Sequence, residues 1–173
     1  SQIDNLLLAA RIEQRRRPAE QRVIDLAAFI QRYLDDNQER LPPGTRLEAR
    51  LEPELKAAVE PDELATVLRN LLENAVLYSP GVPEMELTLQ RNGKWAELSL
   101  KDQGRGLEQS QLRKIFNRFY RVEQPNERVR GTGLGLYIVQ SVIRDCGGTV
   151  QAASDGPGTG CTITLQLPLV EKP

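Results

Sequence analysis

The chain has 173 residues, and its 23 Lys and Arg residues nearly balance its 24 Asp and Glu residues. The net charge of -1 argues against a nucleic-acid or membrane-surface binder, since both need a basic excess. No apolar run approaches the length needed to cross a bilayer, so we do not expect the chain to insert in a membrane. With no histidine and two cysteines lacking CxxC spacing, a zinc site is a poor interpretation.

The first half of the chain is predicted to form three helices and one strand. Ile3, Leu6, Leu7 and Ala10 recur at helical spacing, and this helix is expected to stop before Pro18. The chain starts within this helix, so we expect a fragment of a longer protein. The next elements are a helix capped by an aspartate, an alternating strand and a helix opened by a proline, at residues 26–40, 45–52 and 61–78.

The second half is predicted to form two pairs of strands with helices and a long loop between them. Asn92-Gly93 is a hairpin signal, and Gly147-Gly148 is typical of a helix end. The predicted elements are strands at 84–91 and 95–101, a helix at 109–115, a loop at 116–130, a helix at 134–146, and strands at 149–153 and 161–167. This order predicts an α+β fold, a two-layer sandwich in which helices cover one face of a mixed, mostly antiparallel sheet.

Two asparagines lie one turn apart on the third helix. Asn70 and Asn74 are four residues apart, so both project from one edge of the helix, beside its apolar stripe. A carboxamide oxygen suits a Mg²⁺ ion that also contacts phosphates, which makes Asn74 a candidate metal ligand. On this pair alone, two merely solvated side chains are an equally good interpretation.

A carboxylate ends the inward face of the second hairpin strand. Every second residue from Ala96 is apolar, and the same alternation places Asp102 on the buried face. A buried carboxylate needs a donor, and the exocyclic amine of adenine is one. Gly104 and Gly106 would let the backbone come close to the ring. The alternative is a simple turn with an aspartate cap.

Three glycines at GxGxG spacing, Gly131, Gly133 and Gly135, lead into a helix. Glycines before a helix start expose N–H groups and the positive end of the dipole to phosphate. A dinucleotide-binding turn would instead need GxGxxG after a strand, and here a charged loop precedes the glycines.

The loop before these glycines is basic. Residues 113–130 hold six Lys or Arg and only two Glu, together with Phe116, Phe119 and Tyr120. A solvated charge run is the alternative, but a position between two glycine clusters favours a mobile lid over a triphosphate.

These four stretches, in this order, resemble the catalytic and ATP-binding domain of sensor histidine kinases in the GHKL superfamily. They correspond to its N box, first glycine box, F box and second glycine box, at residues 70–78, 102–106, 115–121 and 131–136. The resemblance covers nearly the whole chain and implies the Bergerat form of the α/β sandwich.

The resemblance implies that ATP and Mg²⁺ are the cofactors. Asn74 would contact Mg²⁺, Asp102 would bind the adenine amine, and Arg118 or Arg121 would approach the γ-phosphate. Asn70 stands where hydrolytic relatives place a glutamate base, and since an amide cannot accept a proton from water, transfer to another acceptor is favoured over hydrolysis. The implied nucleotide contacts are Asn70, Asn74, Tyr78, Asp102, Gly104, Gly106, Leu107, Phe119, Gly131, Thr132, Gly133, Leu134, Gly135, Leu136 and Thr162.

The resemblance also divides the chain and implies its partners. Residues 1–17 resemble the end of the dimerisation and phosphoacceptor helix, and residues 18–173 the catalytic ATP-binding domain. The phosphorylated histidine of the family lies on a preceding helix, so we expect a chain that cannot phosphorylate itself and that acts on a phosphoacceptor domain, with a response regulator as the next partner. The expected location is the cytoplasmic side of a bacterial inner-membrane sensor.

Three other functions remain open from the sequence: a hydrolytic GHKL ATPase, a serine kinase of the anti-sigma type, and a non-catalytic module that binds a nucleotide or a partner helix. Three departures from the family pattern affect details of affinity, one of which is Gln103 in place of a common Asn. Leu77 stands where a Lys or Arg near phosphate is usual, and Cys161 stands near the usual Ser or Thr beside the adenine.

Overall fold

The computed structural model describes residues 2–14, 20–104, 106–117, 120 and 134–171. Among these residues, no helix is long and apolar enough to span a membrane. The elements are α1 (Gln2–Gln14), β1 (Arg22–Asp25), α2 (Leu26–Asn37), a 3-10 turn (Gln38–Arg40), β2 (Arg46–Leu51), β3 (Lys56–Val59), α3 (Pro61–Leu77), β4 (Glu84–Asn92), β5 (Trp95–Asp102), α4 (Gln109–Leu112), α5 (Gly135–Asp145), β6 (Thr149–Ala153) and β7 (Cys161–Pro168).

The main sheet has five strands in the order β2-β4-β5-β7-β6. Strand β2 is parallel to β4, and the other three pairings are antiparallel. Parallel neighbours need a crossover connection, which here contains α3. The prediction of a mixed, mostly antiparallel sheet in an α+β fold is therefore confirmed.

One face of this sheet forms the core. Alternate residues of β4, β5 and β7 are buried, whereas those between them, such as Glu86, Ser99 and Thr164, are polar and at least partly exposed. Helices α3 and α5 contact each other and contribute buried side chains to the same core. The buried apolar residues of the three strands are Met85, Leu87, Leu89, Ala96, Leu98, Leu100, Ile163, Leu165 and Leu167.

A second, two-stranded sheet was not predicted. Strand β1 pairs antiparallel with β3, and Ala57 and Val59 of β3 are fully buried in the common core. The backbone N–H of Val170 donates to the carbonyl of Lys56 at 2.8 Å, which joins this sheet to the chain after β7. The small sheet thus extends the core that positions α3.

The first hairpin differs from its prediction by one residue. Asn92 pairs with Trp95, so the two loop residues are Gly93 and Lys94 rather than Asn92 and Gly93. Gly93 has a φ of 62°, a left-handed conformation that glycine adopts without a steric cost. The pairing of β4 with β5 is unaffected.

Candidate functional site

Asp102 is the last residue of β5, and it lies in the protein interior. Its exposed fraction is only 5%, which confirms the burial predicted from strand alternation. The backbone N–H groups of Gly104 and Cys161 donate to its Oδ1 at 2.8 and 3.2 Å. Both of these hydrogen bonds reach the same oxygen, so among the described residues Oδ2 is left for another donor.

Burial raises the pKa values of two neighbouring groups, the Asp102 carboxyl and the Cys161 thiol. It raises the pKa of the Asp102 carboxyl above its ordinary value, while the N–H groups of Gly104 and Cys161 draw that pKa part of the way back down. Burial, with a further contribution from the Asp102 charge, raises the pKa of the Cys161 thiol to about 12. The thiol is therefore neutral at physiological pH, and it is not an activated nucleophile.

Gly104 lies where β5 meets the end of α3. A Cβ at this position would lie 2.8 Å from both Asp102 Oδ1 and the carbonyl oxygen of Tyr78. Tyr78 is the C-cap of α3, and its N–H donates to the carbonyl of Asn74. The absence of a side chain at Gly104 thus lets Asp102 approach the helix that carries both predicted asparagines.

A cavity of about 530 Å³ opens beside Gly104. Its lining includes four of the residues predicted to contact the nucleotide, Tyr78, Gly104, Gly106 and Leu107. Pro157 and Gly158, in the turn between β6 and β7, also line the cavity and were not predicted. Asp102 does not itself line the cavity, but it contacts the lining residue Gly104, whose N–H donates to its Oδ1.

Asn70 is buried two turns before Tyr78 on α3, with an exposed fraction of 3%. Its Oδ1 accepts a hydrogen bond from Asn5 Nδ2 at 3.1 Å, while its own Nδ2 is buried with no hydrogen-bond partner among the described residues. A Cβ at Gly135 would lie 3.4 Å from Asn70 Oδ1, so the start of α5 packs directly on this side chain. Asn74 is half-buried one turn further along α3.

Helix α1 contributes to this end of the site, which the sequence did not predict. Asn5 is buried, and its Oδ1 accepts from Arg69 Nη2 at 2.8 Å. Arg69 also lies 3.8 Å from the carboxylate of Asp4. At the other end of α1, the hydroxyl of Tyr137 donates to Glu13 at 3.3 Å. The first helix therefore packs against α3 and α5 through polar contacts.

Within the described part of the chain, the N-terminus of α5 has no side-chain cap. Leu134 is the N-cap residue and has no polar side-chain atom, and the first turn holds no acidic residue. Helix α3 differs, because the Glu60 carboxylate accepts from the N–H groups of Asp62 and Glu63. The start of α5 can therefore offer N–H groups to an anion. Leu136, by contrast, is a core residue with 9% exposure.

Thr162 does not join the other predicted residues. In the register of β5 with β7, Asp102 is opposite Cys161, and Thr162 is opposite Lys101 on the other face of the sheet. Thr162 is therefore turned away from Asp102, and Cys161 takes the position beside the carboxylate. The alternation of β7 in the sequence already places Cys161 on the inward face and Thr162 on the opposite face. The same alternation could therefore have excluded Thr162 from the predicted nucleotide contacts.

Six predicted site residues lie outside the described part of the chain: Arg118, Phe119, Arg121, Gly131, Thr132 and Gly133. Their roles remain predictions. Among the described residues, no group of three or more His, Cys, Asp or Glu side chains could hold a metal ion. The described residues offer the carboxamide oxygen of the half-buried Asn74, and a Mg²⁺ ion that keeps several waters and binds substrate phosphates needs few protein oxygens.

Comparison with known sequences identifies the family. A sequence model described as "Histidine kinase-, DNA gyrase B-, and HSP90-like ATPase" matches residues 59–171, which include α3, the cavity and the last four strands of the main sheet. The chain belongs to this family of ATPases. Within the family, the predicted resemblance to catalytic domains of sensor histidine kinases is confirmed by the following similarities.

The chain is similar to the sensor protein kinase WalK of Staphylococcus epidermidis, with 28% identity over 173 residues, which are 98% of this chain and 28% of WalK. It is 37% identical over 106 residues to the sensor-like histidine kinase SenX3 of Mycolicibacterium smegmatis, covering 61% of this chain and 27% of SenX3. The solved structure of the mycobacterial sensor histidine kinase MprB is 27% identical with a TM-score of 0.75, covering 88% of this chain and 99% of that one. The chain thus spans about 28% of the length of the WalK relative.

Proposed function

We propose that this chain is the ATP-binding catalytic domain of a two-component sensor histidine kinase, which transfers the γ-phosphoryl group of Mg-ATP to a histidine of a phosphoacceptor domain. The observation that carries this proposal is the Asp102 carboxylate, buried beside Gly104 with both backbone donors on Oδ1. Oδ2 can accept from the exocyclic amine of adenine. A purine with a carbonyl at that position would set two acceptors against each other and bind less well.

The triphosphate is proposed to extend from Asp102 toward the start of α5. Asn70, Asn74 and Tyr78 lie on successive turns of α3, about 12 Å from first to last along the helix axis. At the far end, the uncapped N–H groups of α5 and the buried Nδ2 of Asn70 are donors that phosphate oxygens can satisfy.

Mg²⁺ would neutralise charge on the phosphates, and Asn74 is the proposed protein ligand. The lid arginines Arg118 and Arg121 are proposed to approach the γ-phosphate. Gly131, Thr132 and Gly133 would supply further N–H groups before α5, and Phe119 would cover the nucleotide. Catalysis would then depend on positioning and charge neutralisation rather than on a protein base.

Asn70 favours transfer over hydrolysis. A water nucleophile needs a proton acceptor, and a carboxamide is not basic enough to be one. The second candidate, a hydrolytic ATPase of the same family, therefore has no support from this residue. A non-catalytic nucleotide-binding module is the third candidate, and it differs from the proposal only in the transfer step.

The partners are part of the proposal. The chain has no histidine, so the phosphoacceptor must be supplied by another domain, which we place in the same kinase. Residues 1–17 are proposed to be the end of the dimerisation and phosphoacceptor domain, and residues 18–173 the catalytic domain. A response regulator would receive the phosphoryl group, on the cytoplasmic side of a bacterial inner-membrane sensor.

Nucleotide binding is tested by calorimetry with Mg-ATP on the wild type, Asp102→Asn and the control Asp36→Asn, whose carboxylate is exposed on α2. Asn at 102 keeps one oxygen for Gly104 and Cys161 but sets an amide donor against the adenine amine. We expect an affinity loss of at least roughly tenfold for Asp102→Asn and no change for Asp36→Asn. Equal affinity of all three proteins would contradict adenine recognition by Asp102.

Transfer is tested by mixing the chain with a histidine-kinase phosphoacceptor domain and γ-labelled ATP. Acid-labile, base-stable label on that domain is the expected result. Release of free phosphate without labelled protein would favour the hydrolytic ATPase, and binding with neither product would favour the non-catalytic module.

A further inference from the structure

Two of the segments that line the cavity are distant in the sequence, and we call them its two walls. One is formed by Gly106 and Leu107, after β5, and the other by Pro157 and Gly158, between β6 and β7. Neither wall belongs to a helix or strand, so hydrogen-bond ladders do not fix the separation between them. Some other contact must hold these two turns in register.

That contact is the side chain of Ser154, directly after β6. Its Oγ accepts a hydrogen bond from the N–H of Leu107 at 3.0 Å and from the N–H of Gly156 at 3.3 Å. The hydroxyl itself donates to the carbonyl of Gly160 at 2.7 Å, which is closer than its other possible acceptor, the carbonyl of Gly156 at 3.3 Å. A hydroxyl has one hydrogen and two lone pairs, so these three bonds use its full capacity. One oxygen therefore ties both walls together.

The backbone around Ser154 is close-packed. Gly106 has a φ of 70°, and a Cβ there would collide with the carbonyl oxygen of Gly156 and lie 2.9 Å from Ser154 Oγ. Gly160 packs in the same way on the carbonyl oxygen of Asp102. The carbonyl that Ser154 binds thus belongs to the residue before Cys161, whose N–H holds the Asp102 carboxylate.

We propose that Ser154 is a positioning residue of the nucleotide site, which sets the width of the cavity and the place of the Cys161 N–H that donates to Asp102, without touching the nucleotide. This inference depends on the proposed function, since it concerns the same cavity. The Ser154 hydroxyl acts in two directions: through Leu107 it holds the turn after Asp102, and through Gly160 it holds the start of β7. Removing it leaves the N–H of Leu107, in a half-buried turn, without its acceptor.

The test compares Mg-ATP affinity and urea stability for the wild type, Ser154→Ala, Ser154→Thr and Ser99→Ala. Thr keeps the hydroxyl and should restore binding. Ser99 is a matched control, because its hydroxyl bonds Thr164 at 3.0 Å across β5 and β7 on the polar face of the sheet. We expect affinity to fall about tenfold in Ser154→Ala, to stay within about threefold in Ser154→Thr, and to be unchanged in Ser99→Ala.

Several outcomes overturn the inference. One is a wild-type affinity for Mg-ATP in Ser154→Ala, and another is a loss of affinity in Ser154→Thr equal to that in Ser154→Ala. The third is a loss of affinity in Ser99→Ala that matches its loss of stability, because a merely structural role would give that result. If Ser154→Ala does not fold, Ser154→Cys replaces it with the same expected loss, because a thiol is a weak donor and acceptor. A wild-type protein that fails to bind Mg-ATP would overturn the proposed function itself, which separates the two failures.

Discussion

At the scale of single residues, the site depends on polar groups that the fold satisfies only in part. Asp102 has two donors on one oxygen, and Asn70 has a partner for its oxygen but none for its Nδ2 among the described residues. Buried polar atoms are normally paired, and each exception calls for an explanation. A ligand that supplies an amine at one end and phosphate oxygens at the other would satisfy both.

The raised pKa of Asp102 predicts how stability depends on pH. The folded protein binds this proton more tightly than the unfolded chain, whose carboxyl titrates near 3.8. The contribution of Asp102 to stability is therefore fully present below pH 3.8 and is lost as the pH rises through the folded-state pKa. In Asp102→Asn, which keeps an acceptor for Gly104, this loss is absent.

Urea unfolding of both proteins is measured between pH 3.5 and pH 7, roughly the range in which carboxyls titrate. The difference between their free energies of unfolding isolates this effect, because the titration of all other groups cancels in it. We expect the free energy of unfolding of Asp102→Asn to increase relative to the wild type as the pH rises. A difference that is constant with pH, or that changes in the opposite direction, would contradict a raised pKa.

The sequence predicts a residue's burial correctly where strand alternation determines it. It does not predict hydrogen-bond partners that depend on tertiary contacts. The burial of Asp102 follows from its place after Ala96, Leu98 and Leu100. The partner of Asn70 does not, because Asn5 lies far away in the sequence and reaches it only through the packing of α1. Ser154 precedes an Asp-Gly-Pro-Gly turn, so its pattern indicates only a turn.

At the scale of elements, long periodic segments were predictable and short ones were not. Helix α3 was found with nearly its observed bounds, since it carries a proline at its start and a regular apolar stripe. Strands β1 and β3 have only four residues each and pair across a large gap in the sequence, so neither alternation nor a turn motif marks them. Their pairing is a tertiary effect that propensity does not encode.

The polar contacts of helix α1 are expected to stabilise the fold. Asn5→Ala removes the donor to Asn70 Oδ1 and the acceptor of Arg69 Nη2, leaving two polar atoms unpaired in a buried or half-buried position. We expect the free energy of unfolding to fall by about 1–3 kcal/mol. Urea denaturation followed by circular dichroism measures this change.

Gln14→Ala is the control on the same helix, because Gln14 is exposed, and it should change stability by no more than about 0.5 kcal/mol. If the two variants were equally stable, the contact between α1 and α3 would not contribute to the folded state in solution.

At the scale of the whole molecule, one core joins both sheets and the helices. The buried residues of α1, α2, α3, α5 and both sheets form a single cluster. Such a protein is expected to unfold in one cooperative step, because no part of the core can be exposed without the rest. Trp95, the only tryptophan, lies at the start of β5 and reports on the central strands.

Leu165→Ala tests this cooperativity. Leu165 is 1% exposed in β7, opposite Leu98 of β5 and Val150 of β6, so its truncation leaves a cavity in the middle of the sheet. We expect a loss of about 2–5 kcal/mol, with coincident unfolding curves from Trp95 fluorescence and circular dichroism. Val82→Ala, at a side chain that is 62% exposed, should change stability by less than about 0.5 kcal/mol. Two separate transitions would show that the sheets unfold independently.

The single oxygen that holds Gly104 and Cys161 has a consequence for the motions of the free protein. Two peptide groups that are remote along the chain share one acceptor, so neither can lose it alone when the carboxylate turns or takes up a proton. The amide hydrogens of Gly104 and Cys161 should therefore exchange with solvent at correlated rates, since both rates depend on the Asp102 side chain.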